Sequence, residues 1–264
     1  MARFSFKYGW GVVRFVYFFN YPKEMPLEEA EKWYKQQHVP EVNKLPGIIS
    51  HRTWKGLPAI QWFTWDPWDR FNRLSEICFE NLEMCLKATT RNPQLWSAAG
   101  FREIECAILD EEPQYDLLKD VPVQQFKNAL LLPKFVGGDP EYDEFDDTFM
   151  DVYMLNYKVP VVDGEDWYLG HHTREGRISK QLGNRHYQTW KTLRVPEGKN
   201  SVLKPNRFYR LTELGLPDYA RGIRAPGAPR PKSYMTFTQS PLGEVIGEWR
   251  NILIEPDKYE DLLK

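Results

Sequence analysis

The residues best suited to chemistry at neutral pH are the five histidines, His38, His51, His171, His172 and His186, and they are confined to two short sequence contexts, each written twice. Imidazole titrates near neutrality and can both take and return a proton, so His172 and His38 are the candidates for general acid/base work. Each follows a Trp-Tyr pair, with the tyrosine four residues before it: Tyr34 before His38 and Tyr168 before His172. On a helix, residues four apart share a face, so the same Tyr-plus-His face is presented twice. His172 ranks first, because His171 and His186 are expected to come close enough to perturb its pKa or to help hold a substrate. The ordinary structural alternative is a helix histidine satisfied by a backbone carbonyl or a neighbouring tyrosine.

Other candidates come in matching pairs. Tyr17 and Tyr153, with Asn20 and Asn156, stand near the end of a predicted strand, where a hydroxyl or amide could stabilise an enolate or phenolate oxygen. Sheet packing and an Asn-capped turn are the competing readings. Trp54 and Trp190 share strand registers with Arg52 and Gln188, so an indole and a polar group lie on one face, which suits a planar phenolic or carboxylated substrate if it is not simply core. Tyr34, Tyr168, His51, His171 and His186 complete the substrate-binding set. There is no His-Glu-x-x-His, no cysteine pair at zinc spacing, no Gly-x-Gly-x-x-Gly after a strand and no Gly-x-Ser-x-Gly. No resident metal, nicotinamide or nucleotide is therefore expected, nor a hydrolase of the serine-elbow class.

The elements that carry these residues are duplicated. Glu31-Lys-Trp-Tyr-Lys-Gln-Gln-His-Val-Pro-Glu41 is matched by Glu165-Asp-Trp-Tyr-Leu-Gly-His-His-Thr-Arg-Glu175 at an offset of 134, while Val16–Tyr21 matches Val152–Tyr157 and Thr53-Trp-Lys55 matches Thr189-Trp-Lys191 at 136. Phe63-Thr64 with Leu211-Thr212, and Phe101-Arg102 with Trp249-Arg250, align at 148, which implies a twelve-residue insertion between Trp190 and Leu211.

In the first copy, periodicity predicts a strand over 11–21, with Tyr17, Phe19 and Tyr21 on one face and Arg14, Val16, Phe18 and Asn20 on the other. A helix follows from Pro26, which Pro40 distorts or ends. Further strands are predicted over 48–55 and 59–65, an amphipathic helix over 70–88 and a strand over 101–109. The second copy repeats this with a strand at 149–157, a helix at 164–180, strands at 185–193, 206–213 and 249–254, and a short tail helix. Its second helix is broken by the Pro- and Gly-rich run 221–231. The order β-α-β-β-α-β is the ferredoxin-like unit, so the expected fold class is α+β: one repeat over 1–113, a linker over 114–147 with a short helix near 115–127 and an acidic solvated run at 139–147, and a second repeat over 148–264.

Hydrophobic residues at 42%, charged residues at 27% and a net charge of −2 describe an ordinary globular chain, although ten tryptophans within 15% aromatics is rich. No basic stripe points to nucleic acid, and no apolar run is long enough to span a bilayer or to make a leader, so a cytoplasmic protein without nucleic-acid or membrane partners is expected. Cys78, Cys85 and Cys106 fit no disulfide or zinc framework and read as buried thiols.

With that element order, the helix Glu-Glu-Ala-Glu-Lys-Trp-Tyr-Lys-Gln-Gln-His-Val-Pro and the Leu45-Pro-Gly47 before a strand, the first copy resembles the EthD-like branch of the dimeric α+β barrel superfamily. The second copy shares the helix but lacks the proline after its histidine and has Gln181-Leu-Gly183 in place of Leu-Pro-Gly. The resemblance implies two sheets pairing into a barrel with helices outside, here within one chain, as a monomeric pseudo-dimer or a homodimer of such chains. It also implies cofactor-free isomerase, cyclase, decarboxylase or monooxygenase chemistry on small cyclic or aromatic compounds. The reading taken is a cofactor-independent lyase or isomerase in which a histidine moves a proton. The alternatives are haem- or dioxygen-dependent oxidation, and a non-enzymatic binding or assembly module.

Overall fold

The computed structural model describes residues 11–57, 71–116, 148–172, 186–199, 201–217 and 242–263. Strand β1 (Val13–Asn20) shows what organises them, since it is buried along both of its faces apart from Arg14. One row, Val13, Phe15, Tyr17 and Phe19, lies beneath helices, and the other, Val16 and Phe18, enters a core shared by both halves of the chain.

In chain order, β1 is followed by helix α1 (Leu27–Trp33), a π-helical turn Tyr34–His38 and α2 (Val39–Val42), then by β2 (Ile48–Lys55) and β3 (Arg73–Phe79). Helices α3 (Leu82–Ala88) and α4 (Pro93–Ala98) precede β4 (Glu103–Asp110) and the two-residue β5 (Tyr115–Asp116). The second half runs β6 (Thr148–Tyr157), α5 (Val161–Trp167), a second π-helical turn Tyr168–His172, β7 (His186–Lys191), β8 (Arg210–Pro217), α6 (Leu242–Val245), β9 (Ile246–Ile254) and β10 (Glu260–Asp261).

The first sheet has the order β10-β2-β3-β1-β4 and the second β5-β7-β8-β6-β9, with every pair antiparallel. Four strands of each give the ferredoxin-like order, and the fifth comes from the tail of the other repeat. The chain is thus a tandem of ferredoxin-like repeats whose sheets pair into an intramolecular α+β barrel.

Two seams close the barrel, related by the internal repeat. Leu57 donates its N–H to the Leu253 carbonyl at 2.8 Å and Leu193 donates to Ile108 at 2.8 Å. Between the sheets, Val16, Phe18, Trp54, Leu74, Ala107 and Leu109 meet Met150, Val152, Met154, Trp190, Leu211 and Ile252. The charged exception is Arg14. Its Nε donates to Glu76 at 2.8 Å, its Nη2 bonds both Glu76 and Glu213, the latter at 2.8 Å, and its guanidinium lies 4.6 Å from the Trp190 ring. Burial alone would raise the Glu213 carboxyl, but Arg14 and a 3.1 Å hydrogen bond with His186 outweigh it and bring the pKa down to about 2.

Several expectations are corrected. Residues 70–88 are not one helix: Leu74, Ile77 and Cys78 lie in β3, and only 82–88 are helical. Every residue of β3 is buried, so its apolar run carries no alternation and mimics helical spacing. Asn81 caps α3 by accepting from the Met84 N–H at 3.0 Å. Of the two outcomes expected at Pro40, the helix is distorted rather than ended: a π-helical turn over Tyr34–His38 precedes it and α2 continues through it. The second repeat's first helix starts earlier than expected, at Val161, and 173–180 lie outside the described residues. Tyr115–Asp116 form strand rather than helix, and the tail ends in β10 rather than in a helix.

The inserted residues also lie elsewhere. Arg73 and Arg210 begin equivalent strands, and the linkers before them, 56–72 and 192–209, are nearly equal in length, so the extra residues fall between β8 and β9. The strand predicted over 59–65, the acidic run and the 221–231 break lie outside the described residues. No helix among the described residues is long and apolar enough to cross a membrane. The three cysteines are free and buried, as their spacing implied.

Removing Arg14 would leave two carboxylates facing each other in the barrel. Arg14→Met is expected to lower stability by about 3–5 kcal/mol in urea titrations, with part recovered when Glu76→Gln and Glu213→Gln are added. Because Glu213 is more acidic folded than unfolded, its contribution is full above its ordinary value of 4.5 and is lost as pH falls towards 2.

Candidate functional site

The first helix of each repeat is held on its sheet by a buried arginine. Arg73 donates to Glu31 at 3.0 Å through Nε and again through Nη2, and to the Tyr21 hydroxyl at 2.7 Å; Tyr21 in turn donates to Glu31 at 2.6 Å. The second repeat repeats this with Arg210, Glu165 and Tyr157 at 2.6–2.7 Å. Burial would raise both glutamates, yet the arginines hold them below the usual carboxylate range. In the second copy the contact is so close that a side chain at Gly164 would strike the Tyr157 ring.

That anchor fixes the next turn. The Val39 N–H bonds the Tyr34 carbonyl five residues back, which widens the helix and turns both Tyr34 and His38 inward. Tyr34 then joins a directed chain. Thr53 Oγ1 donates to the Leu74 carbonyl at 2.9 Å and Ser75 Oγ donates to Thr53 at 2.8 Å, so the Tyr34 hydroxyl, 2.8 Å from Ser75, must be the donor there. In the second repeat Thr189, Thr212 and Tyr168 form the same chain, and Tyr153 extends it at 3.1 Å from Tyr168.

The repeats differ at the end of this chain. In the first, His38 Nε2 and His51 Nε2 are buried without a hydrogen-bond partner among the described residues, while the Tyr17 hydroxyl interacts with the Tyr34 and Ser75 hydroxyls. The His38 ring lies 5.8 Å from Tyr34 and 5.7 Å from Trp96, which also touches Tyr17 at 5.3 Å, and it is close enough to act electrostatically on His51. Trp33 and Phe101 complete an aromatic enclosure around it. Burial lowers the His38 pKa to about 4, and burial with the nearby His38 lowers that of His51 to about 3, so both rings are neutral at pH 7. The second repeat has His172 against Trp167 and Tyr168, Tyr187 in place of His51, and Asp151 in place of Phe15. Asp151 accepts from Asn251 at 3.2 Å, and burial raises its pKa to about 7.

Of the residues singled out by spacing, Tyr17, Tyr34, His38 and His51 come together under α1, and Tyr153, Tyr168 and His172 under α5. The rest do not join them. His186, expected beside His172, points the other way into the barrel and bonds Glu213. Trp54 and Trp190 are barrel core, with Trp54 Nε1 donating to the Pro256 carbonyl at 3.0 Å. Arg52 lies over the Tyr259 ring. Asn20 staples strand ends, accepting from the Asn72 N–H at 3.0 Å and donating to Glu103 at 3.2 Å, and Asn156 accepts from the N–H of Tyr157 at a β-bulge. The His171 side chain lies outside the described residues.

Spacing missed Arg73 and Arg210, because the offset of 148 misaligned the strands that carry them. It also missed Glu31 and Glu165, although both stand inside the matched helix. No three His, Cys, Asp or Glu side chains are grouped to hold a metal among the described residues.

Fold and site geometry together define a dimeric α+β barrel with both halves in one chain. A search of solved structures supports this: an anthrone oxidase-like protein is 14% identical with a TM-score of 0.53, the alignment covering 96% of this chain and 94% of that one. A candidate monooxygenase of Fusobacterium nucleatum is 11% identical over 95% and 94%, with a TM-score of 0.45. A chlorite dismutase variant from Candidatus Nitrospira defluvii is 10% identical over 93% and 92%, with a TM-score of 0.42. No family profile and no curated protein matches the chain.

The histidine environments make a pH prediction. In an NMR titration the His38 and His51 ring signals should stay flat from pH 8 to pH 5 and move only near pH 4 and below. Both bind a proton more weakly folded than unfolded, so they subtract stability as pH drops below their ordinary value of 6.5.

Proposed function

We propose that the protein is a cofactor-independent enzyme of lyase or isomerase type, from the EthD-like branch of this fold, acting on a small planar aromatic or cyclic compound. The observation that carries this reading is a pair of neighbouring buried imidazole nitrogens, His38 Nε2 and His51 Nε2, that have no hydrogen-bond partner among the described residues, the first of them inside an aromatic enclosure. Buried polar groups are nearly always hydrogen-bonded, and two such exceptions on neighbouring imidazoles are accounted for by a ligand that supplies the missing bonds.

In that reading a neutral imidazole takes a proton from an acidic hydroxyl or C–H of the substrate, and the Tyr17 hydroxyl donates to the oxygen on which charge develops. The relay from Leu74 to Tyr34 holds the neighbouring hydroxyl in one orientation, so little reorganisation accompanies the transfer. The surrounding rings keep water out and pack against the flat faces of the substrate. Tyr153, Tyr187 and His172 stand at the equivalent positions of the second repeat, where Tyr153 bonds Tyr168 at 3.1 Å.

The likeness to an anthrone oxidase-like protein favours a second outcome, in which the deprotonated substrate meets dioxygen rather than returning its proton. Haem lacks comparable support. The His38 imidazole has four rings with centroids 5.1–5.8 Å away, and an axial ligand needs a porphyrin-wide open face in front of its nitrogen.

A turnover screen over hydroxylated aromatics, opening with anthrone, followed with and without dioxygen, tests the reading. Once a substrate is found, His38→Ala and His51→Ala should each lower kcat/KM by roughly 10²–10⁴-fold, with a smaller loss for Tyr17→Phe. Turnover that survives both histidine changes together would sink the mechanism.

A further inference from the structure

The tail of the second repeat lies on the site of the first. Strand β10 pairs with β2, placing Glu260 opposite Thr53 and Asp261 opposite Arg52. Glu260 accepts from Arg73 at 3.3 Å and pairs with Lys35 at 2.8 Å, and the Leu262 N–H bonds the His51 carbonyl at 2.8 Å.

One side chain joins this tail to an imidazole. Asn43 Nδ2 lies 2.6 Å from the Leu262 carbonyl, and Asn43 Oδ1 lies 2.7 Å from His51 Nδ1. A carbonyl can only accept, so the amide nitrogen of Asn43 must face Leu262 and its oxygen must face His51. An amide oxygen also only accepts, so His51 Nδ1 must carry the proton. The other nitrogen, Nε2, is then the one without a hydrogen, buried and unpartnered, with His38 close enough to act on the ring.

From this relay we infer that the C-terminal tail, acting through Asn43, fixes His51 in its Nδ1–H tautomer. Nε2 thereby becomes a proton acceptor that selects a neutral hydroxyl-bearing ring, a phenol or an enol, over an anion. The inference names the substrate class of the proposed site and in that part rests on the proposed function. An anionic oxygen in the same place would meet the Nε2 lone pair, with the Asp261 carboxylate also acting on that ring from the tail. A phenolic O–H supplies the missing donor. Asn43 is a positioning residue, since it reaches the substrate only through His51.

The test is a long-range proton–nitrogen NMR spectrum of the full chain labelled with 15N-histidine, at pH 7, with His51 assigned by comparison with His51→Gln. The expected result is a protonated Nδ1 and a bare Nε2. Asn43→Asp, whose carboxylate still accepts from Nδ1, should keep that tautomer, whereas Asn43→Ala should shift His51 towards Nε2–H. Leu262→Pro removes the N–H that holds the tail to His51 and should weaken the preference. An Nε2–H tautomer in the unaltered chain would overturn the inference, and a preference unchanged in Leu262→Pro would remove the tail from it. Added 1-naphthol should move the His51 Nε2 signal and bind roughly tenfold more tightly than 1-naphthoate, the loss expected when a hydrogen-bond donor is missing. Equal or reversed affinities would overturn the ligand class. The tautomer is read in the free protein, so the relay and the proposed catalysis can fail separately.

Discussion

Arg14 is the interaction on which the barrel depends. The two sheets meet through a largely apolar core, yet Glu76 and Glu213, at equivalent positions of β3 and β8, put two carboxylates into it, the second bonded by His186. Two buried anions at this range would repel strongly in a low-dielectric interior, and a single cation between them reverses the sign of the interaction. Arg14 has no counterpart, since Met150 stands at the matching position of the second repeat. The pairing of the sheets is therefore asymmetric at its centre although the folds around it are equivalent.

Away from Arg14 the repeats match at the anchors that hold their helices and differ in the side chains those helices cover. Arg73 with Glu31 and Tyr21, and Arg210 with Glu165 and Tyr157, are the same device, and each sets the π-helical turn that follows. Beyond the anchors, His51 faces Tyr187 across the repeat relation and Phe15 faces Asp151. A duplicated fold has to keep the contacts that hold its helices, but the side chains those helices cover are free to change. The first repeat ends beside two imidazoles, His38 and His51, while the second ends beside His172 and the Tyr187 hydroxyl, with Tyr153 bonding Tyr168 at 3.1 Å.

Much of this was legible in the chain. The duplication, the strand-helix-strand starts of each repeat and the Tyr34–His38 and Tyr168–His172 faces follow from residue type and spacing, because a helix that packs on a sheet must repeat its buried positions. What failed was strand β3. A strand covered on both faces has no polar row to reveal its period, and misplacing it hid Arg73 and moved the inserted residues to the wrong side of β8. The faces of β2 and β7 were correctly sorted into alternating sets, but periodicity does not say which set meets a helix and which meets the other sheet. For that reason Trp54, Trp190 and His186 were grouped with residues that the backbone separates from them. Asn43 carried no signal at all: its partners are a histidine eight residues on and a tail backbone in the other repeat.

The exchange of tails gives the asymmetry its electrostatic sense. After β4 the chain crosses to the second sheet, where Gln114 bonds Arg210 at 2.8 Å; after β9 it crosses to the first, where Glu260 bonds Arg73. A neutral amide thus completes one arginine anchor and a carboxylate the other. In the first repeat Arg73 faces two anions, Glu31 and Glu260, with Lys35 compensating at the rim. The guanidinium, which lies over the Tyr34 ring, thus faces two counter-charges, while its charge still acts on the Tyr17 and Tyr34 hydroxyls. Beyond it stand local dipoles: a tyrosine hydroxyl, a neutral imidazole and an imidazole whose free nitrogen is set by a neighbouring amide. In the proposed function such a site would act on charge as it forms, which is the condition under which preorganised donors favour a transition state over the bound ground state.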